Sequence, residues 1–250
     1  MRNKWLPYKQ PSQDTDLRIF AFPYAGGGAS SLRRLSQQMP ASIDLCPVQL
    51  PGREGRIAED PVTELAELGE MLVAALGEYL DLPYALLGYS MGAIVALEFA
   101  SSISKHKLLP PKHFLACARG GPNIRPRWSG KQIPSNQELI DRLRELGGTT
   151  TEVINSTELL DIILPILRAD YALNSSYILS DFRLECPVTV IGGLDDLAVS
   201  PDCLRSWSVV SATPCRQKML RGGHFFIQER PVEFAAAIAN AVIYNCSPPM

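Results

Sequence analysis

The sequence predicts an α/β fold with a mostly parallel central sheet flanked by helices and a helical lid inserted late in the chain. Three observations carry this expectation. Short β-rich runs alternate with longer helical patterns, the rhythm of a parallel sheet with covering helices. One run, Leu86-Leu87-Gly88, passes through Tyr89-Ser90-Met91-Gly92 straight into an apolar helical pattern through Ile94, Val95, Leu97 and Phe99. Finally, residues 123–182 hold helical patterns but no clear strand, and the segment is about twice the length of an ordinary crossover.

With 250 residues, 46% of them hydrophobic, the chain is long enough to bury the core of one large domain, so we read residues 1–250 as a single domain with 123–182 as its insertion. The net charge of -2, from 24 basic and 26 acidic residues, argues against nucleic acid or an acidic membrane surface as the main partner. No window is apolar for long enough to span a bilayer, and Met1 to Gln13 is too polar for a secretory leader, so a cytoplasmic protein is expected. Cys46, Cys117, Cys186, Cys203, Cys215 and Cys246 show no C-x-x-C spacing and read as reduced structural thiols, with neither a zinc site nor a disulfide framework.

The first strand is Leu17 to Phe22, which runs into Pro23-Tyr24-Ala25-Gly26-Gly27-Gly28. Three glycines after a strand signal unusual torsions or a close approach, and the absence of a following Lys-Ser/Thr excludes a Walker-type phosphate loop. A helix is expected from about Ser30, and a second strand from Ile43 to Leu50 leads into the loop Pro51-Gly52-Arg53-Glu54-Gly55-Arg56. Leu65, Leu68, Leu72, Leu76 and Tyr79 recur at helical steps and mark an amphipathic helix between Val62 and Leu80. After the apolar helical pattern through Phe99 comes a strand over Lys112 to Ala118. The insertion then offers two or three helical patterns, one near Gln137 to Leu146 and another near Thr157 to Leu173, with Pro165 expected to kink or divide the latter. Pro187 to Ile191 resumes the sheet and ends in Gly192-Gly193-Leu194-Asp195-Asp196. Ser200-Pro201 opens a helix through Trp207, Gln217 to Leu220 is the last strand, and Pro231 to Tyr244 the closing helix.

Gly88-Tyr89-Ser90-Met91-Gly92 fits the G-x-S-x-G nucleophile elbow in the strand-to-helix context that it requires. One strained residue can turn a strand into a helix only if the positions two residues away carry no side chain. Ser90 then sits at the tip of the turn beside the positive end of a helix, with the Met91 amide free to donate to an oxyanion. The glycine loop fits the one that supplies the second oxyanion donor of an α/β-hydrolase, here on the Ala25 amide.

A serine hydroxyl needs a base, and the base needs an acid to fix its tautomer. Of the three histidines, His106 lies between lysines and His113 opens a strand, whereas His224 follows the last strand in Gly222-Gly223-His224-Phe225-Phe226. His224 is therefore the candidate base. The acid falls at the end of the preceding strand, on Asp196, three residues after Gly193, with Asp195 as runner-up. The order Ser…Asp…His is that of the α/β-hydrolases.

Taken together, Phe22-Pro23-Tyr24-Ala25-Gly26-Gly27, Gln49-Leu50-Pro51-Gly52-Arg53-Glu54 through Arg56, the elbow, Leu167-Arg168-Ala169-Asp170-Tyr171, the Asp195-Asp196 turn with Trp207 downstream, and Gly222-Gly223-His224-Phe225 resemble the type II thioesterases, discrete editing hydrolases of polyketide and nonribosomal peptide synthesis. The resemblance runs from about Arg18 to Tyr244, with Asp196-Leu197 standing where relatives commonly have Asp-Pro. It implies hydrolysis of aberrant or stalled acyl groups from the phosphopantetheine arm of an acyl or peptidyl carrier protein. Ser90 resembles the nucleophile, His224 the base, Asp196 the acid, and Ala25 and Met91 the oxyanion amides. No metal or diffusible cofactor is implied, since the phosphopantetheine belongs to the partner. An acidic carrier would favour basic surface near the mouth, for which Arg53 and Arg56, or Arg119, Arg125 and Arg127, are candidates. Two other readings compete: a general carboxylesterase or lipase of the same fold, and a non-catalytic carrier-binding protein. A chain-terminating cyclase is disfavoured, because such domains end a megasynthase and this chain is expected to stand alone.

Overall fold

In the computed structural model, which describes residues 3–9, 15–125, 127–128 and 133–244, six parallel strands form one sheet in the order β2-β1-β3-β4-β5-β6. The strands are β1 (Leu17–Phe22), β2 (Ile43–Pro47), β3 (Tyr84–Tyr89), β4 (His113–Cys117), β5 (Val188–Gly193) and β6 (Arg216–Leu220). β1, β3, β4 and β5 are buried along their whole length, which is why they read as continuous apolar runs instead of alternating ones. β6, at one edge, exposes Arg216, Gln217 and Lys218, side chains that discourage pairing with another sheet.

The helices are α1 (Arg33–Ser36), α2 (Leu65–Leu76), α3 (Met91–Lys105), α4 (Asn136–Leu146), α5 (Thr151–Asn155), α6 (Thr157–Ser175), α7 (Pro201–Arg205), α8 (Phe226–Glu229) and α9 (Pro231–Tyr244). On one face of the sheet α2 and α3 pack around Phe20, Phe22, Leu86 and Phe114, and on the other α9 covers Ile19, Leu87, Tyr89 and Leu115. The chain runs from β1 outward to β2 and then returns to the far side of β1 with β3. The carboxyl ends of β1 and β3 therefore flank a switch point, where an open α/β sheet leaves its crevice.

Several expectations move at their edges. The helix from Ser30 is a short 3-10 turn, Ala29–Leu32, followed by the single turn α1. β2 stops at Pro47, and the helix through Trp207 divides into α7 and a 3-10 stretch at Ser206–Val210. Within 123–182 the described residues hold three helices, α5 preceding α6. Pro165 does not divide α6, which continues from Thr157 to Ser175. Pro165 and Asp161, whose carbonyl loses its donor, are both exposed, so that carbonyl lies on a solvent-facing side of the helix. A third apolar cluster, Leu139, Leu164 and Leu167 with Trp128, holds α4 to α6, and Ala25 packs against it.

Cys46, Cys117 and Cys186 are buried free thiols and Cys203 and Cys215 are half-buried ones, while Cys246 lies outside the described residues. No helix among the described residues is long and apolar enough to cross a membrane.

Candidate active site

The elbow obeys the steric logic of its glycines. Ser90 adopts φ 52°, ψ -118°, and its amide donates to Cys117 O at 2.7 Å, which pins the turn to β4. A methyl group on Gly88 would lie 2.2 Å from Ala93 Cα, and one on Gly92 would lie 2.1 Å from Phe22 O. Neither backbone can give way, so only glycine fits at both positions. α3 starts at Met91, and no hydrogen bond engages the Met91 amide among the described residues.

His224 and Asp196 reach Ser90 from the loops after β6 and β5. His224 Nε2 lies 3.1 Å from Ser90 Oγ, and His224 Nδ1 lies 2.8 Å from Asp196 Oδ2. His224 and Asp196 are both buried, which strengthens the charge-assisted contact between them. The other oxygen of Asp196 accepts from the amides of Ala198 (2.8 Å) and Val199 (3.2 Å), so the carboxylate is held at both ends. Asp195 is exposed and braces the turn instead, accepting from the Gly222 amide at 3.2 Å. Of the two candidate acids, only Asp196 therefore meets the imidazole.

Tyr89, the variable residue before the serine, has a role that the motif does not announce. Its hydroxyl donates to His224 O at 2.6 Å and accepts from the Ile227 amide at 3.4 Å, and its buried ring packs against Phe226 and Phe234. Burial raises the phenol well above its ordinary pKa, so it remains a donor. The histidine loop is thus tied to the elbow at its backbone as well as at its imidazole.

The glycine loop after β1 lies across the cavity from this arrangement. Ala25, Gly26, Ser90, Met91 and His224 line a cavity of about 430 Å³ together with Leu143, Leu146, Val153, Ile163 and Leu167 of α4, α5 and α6. The Ala25 amide, like that of Met91, is engaged by no hydrogen bond among the described residues. Asn174 also lines the cavity, and its buried Oδ1 has no protein partner.

The basic surface expected around the mouth is largely absent. Arg53 is buried and forms a bidentate pair with Asp170 of α6, both N–O distances being 2.7 Å. Arg56 is buried with its guanidinium 4.1 Å from the Trp5 ring centroid, and it pairs with Glu59. Arg119 lines the cavity itself, where burial pulls its guanidinium down to about 10, still a cation at neutral pH. Only Arg125 and Arg127 are exposed, and Arg127 is paired with Glu145 at 2.6 Å. Arg53 and Arg56 are buried because Asp170 and Trp5, each distant in the chain, close over them.

A thioesterase domain family profile matches residues 17–242. The chain is 35% identical over 232 residues to the gramicidin S biosynthesis protein GrsT of Aneurinibacillus migulanus, covering 92% of this chain and 91% of that one. Among solved structures it is similar to the type II thioesterase BorB from the borrelidin biosynthetic cluster, with a TM-score of 0.82, 31% identity, and 93% and 95% of the two chains covered. It is also similar to RedJ, the thioesterase from the prodiginine biosynthetic pathway in Streptomyces coelicolor, with a TM-score of 0.83, 28% identity, and 96% and 94% covered. A family match over this length, joined to relatives of the same size, settles the assignment: the chain belongs to the thioesterase family in its type II form, and is a hydrolase that acts on thioesters.

Proposed function

We propose that this protein serves a secondary-metabolite synthase by removing acyl groups, stalled or aberrant ones above all, from the phosphopantetheine arms of its acyl or peptidyl carrier proteins. Ser90 is the nucleophile, His224 the general base and acid, Asp196 the group that fixes and stabilises the imidazolium, and the amides of Ala25 and Met91 form the oxyanion hole. Ser90 Oγ attacks the thioester carbonyl and passes its proton to His224 Nε2; the tetrahedral oxyanion collapses and His224 protonates the departing thiol. Water, activated by the same imidazole, attacks the acyl-enzyme and frees the acid. Helices α4 to α6 act as the lid over the bound acyl chain. No metal or diffusible cofactor is required, because a thiolate leaves readily and the phosphopantetheine arrives with the partner. We place the protein in the cytoplasm, where such synthases work.

The observation that carries this reading is the unbroken contact from Asp196 Oδ2 through His224 to Ser90 Oγ, at 2.8 and 3.1 Å, on the wall of a largely apolar cavity. The names of the relatives, a gramicidin S biosynthesis protein and thioesterases of the borrelidin and prodiginine pathways, support the biosynthetic setting. The test is a panel of acyl-carrier thioesters of graded chain length, each with a matched oxygen ester, run with Ser90→Ala as the blank. Carrier thioesters should be turned over faster than the esters, and Ser90→Ala should abolish both. Faster turnover of the oxygen esters would move the protein to the general esterases.

A further inference from the structure

An oxyanion donor acts only if its N–H is fixed to within about 0.5 Å of its working position. Ala25 is badly placed to meet that demand by itself, since Gly26, Gly27 and Gly28 follow it and Gly26 sits at φ 78°, in the left-handed region. The peptide plane that carries the Ala25 N–H also carries Tyr24 C=O, and this carbonyl accepts from the Gly27 amide at 2.9 Å. The next plane, which carries Ala25 C=O and the Gly26 N–H, is held from outside the loop. Gly26 N–H donates to Asp170 Oδ2 at 2.7 Å, across 144 residues of sequence.

Asp170 is itself immobilised. It has no exposed surface, and both its oxygens meet the Arg53 guanidinium at 2.7 Å. Arg53 in turn donates from Nε to Pro51 O at 3.2 Å and from Nη1 to Gly27 O at 3.5 Å, so it grips the glycine loop a second time. Gln49 donates to Arg53 O at 3.0 Å and accepts from the Ala29 amide at 2.9 Å, closing the frame on the far side of the glycines. One turn before Asp170, Leu167 of the same helix lies 3.0 Å from where a side chain on Gly26 would begin. α6 therefore touches the loop through one charged and one apolar contact.

A buried ion pair is a weak source of stability, because desolvation offsets its attraction and an apolar pair of similar volume serves as well or better. An apolar pair, however, cannot accept the Gly26 N–H. We propose that Asp170, held by Arg53, is a positioning residue for the oxyanion hole: it fixes the peptide plane after Ala25 and thereby makes helix α6 of the insertion part of the machinery that stabilises the transition state. This rests on the reading of Ala25 as an oxyanion donor.

The double variant Arg53→Met, Asp170→Leu separates positioning from folding, and Arg53→Leu, Asp170→Met provides a second pair without an acceptor for Gly26 N–H should the first fold poorly. Both are compared with wild type and Ser90→Ala on a small acyl thioester for kcat, KM, pH profile, melting temperature and affinity for a trifluoromethyl ketone analogue of the acyl chain. Removing an oxyanion donor outright costs about 10²- to 10³-fold, and loosening one costs less. The expected result is a kcat about 10- to 100-fold lower in each variant that folds, with the ketone bound more weakly by a similar factor. KM and the inflection of the pH profile should stay near wild type, because the triad is untouched. A folded variant with kcat within about twofold of wild type, or a loss that appears in KM with ketone affinity intact, overturns the proposal. Full activity in Ser90→Ala is a different failure, that of the catalytic reading itself.

Discussion

The two halves of this active site are held in place by different means. Ser90, His224 and Asp196 each stand on the loop directly after a strand, so the sheet's own ladder sets their separation, and Tyr89 adds a tie between two of the loops. The Met91 amide shares that rigidity as the first residue of α3. Ala25 does not: its loop is glycine-rich and is fixed by Arg53 from one connection and by Asp170 and Leu167 from the insertion. In the proposed mechanism the nucleophilic half is thus a property of the sheet, and the oxyanion half is shared with helices packed above it. A movement of α6 is then expected to alter stabilisation of the transition state before it alters the nucleophile.

The largest expected effect tests the sheet-borne half. Asp196→Asn should lower kcat by about 10⁴-fold, because the amide favours the wrong imidazole tautomer and leaves the imidazolium without its counter-charge. Asp195→Asn should cost less than about tenfold, since that carboxylate only braces the Gly222 amide. Steady-state kinetics on one thioester with both variants decides the matter, and a reversed ranking would transfer the acid to Asp195.

Leu167→Ala tests the other half. Leu167 is buried between α4 and the glycine loop, and truncating a core leucine costs about 2–5 kcal/mol. The loss should appear in urea denaturation together with a several-fold fall in kcat, whereas an equally destabilising truncation at Leu76, at the end of α2 and outside the cavity lining, should lower stability and leave kcat unchanged. Equal kcat losses from the two would dissolve the distinction between the halves.

Acid weakens the sheet itself. His113, at the start of β4, is fully buried with one ring nitrogen bonded to Thr189 and the other without a partner, and burial, helped by the nearby Arg216 charge, lowers its pKa to about 4. The unfolded chain binds a proton there near pH 6.5 and the native one does not. Stability from this group is therefore complete above about pH 6.5 and drains away as the pH falls towards 4, by about 2–3 kcal/mol at pH 4.5. Urea unfolding at pH 7 and pH 4.5 should show this slope in wild type and a shallower one in His113→Gln. Parallel slopes would acquit His113.

Tyr89→Phe removes one hydrogen bond to His224 O and leaves the Ile227 amide without its acceptor, while the ring packing stays. A cost of about 1–2 kcal/mol in stability is expected, with kcat down a few-fold as the histidine loop loosens. An unchanged kcat would show that the imidazole contacts alone fix the loop.

The unequal support of the halves also explains what could be read before the structure was seen. The elbow is legible because its steric rule is local: Gly88 and Gly92 are needed within two residues of Ser90. His224 and Asp196 follow from strand order, and only the choice between Asp195 and Asp196 needed coordinates, since neighbouring residues at a turn point in different directions. The Arg53–Asp170 pair was invisible, because its partners are 117 residues apart and each, taken alone, has the composition of solvated surface. In the sequence Pro165 marks a point where the helix is expected to kink or divide, and that it does not divide α6 was not legible, because the exposure of that face of the helix is a tertiary fact.

The smallest expected effect concerns the partner. With Arg53, Arg56 and Arg119 committed to the interior and Arg127 paired with Glu145, Arg125 is the candidate left with no ion-pair partner among the described residues. Arg125→Glu should raise KM for an acidic acyl-carrier substrate about two- to fivefold, the range of one screened surface charge, and the effect should fade as salt shortens the Debye length below about 10 Å. KM for a small acyl thioester should not move, because the substitution touches neither half of the catalytic site. Arg127→Gln should change KM for either substrate less than Arg125→Glu does, since it removes only a charge already shared with Glu145, which keeps Arg142 as a partner. If both variants raise KM for the small thioester as strongly as for the carrier, these arginines act through the insertion and the oxyanion half, and the boundary between docking surface and catalytic machinery must be redrawn to include the segment before α4.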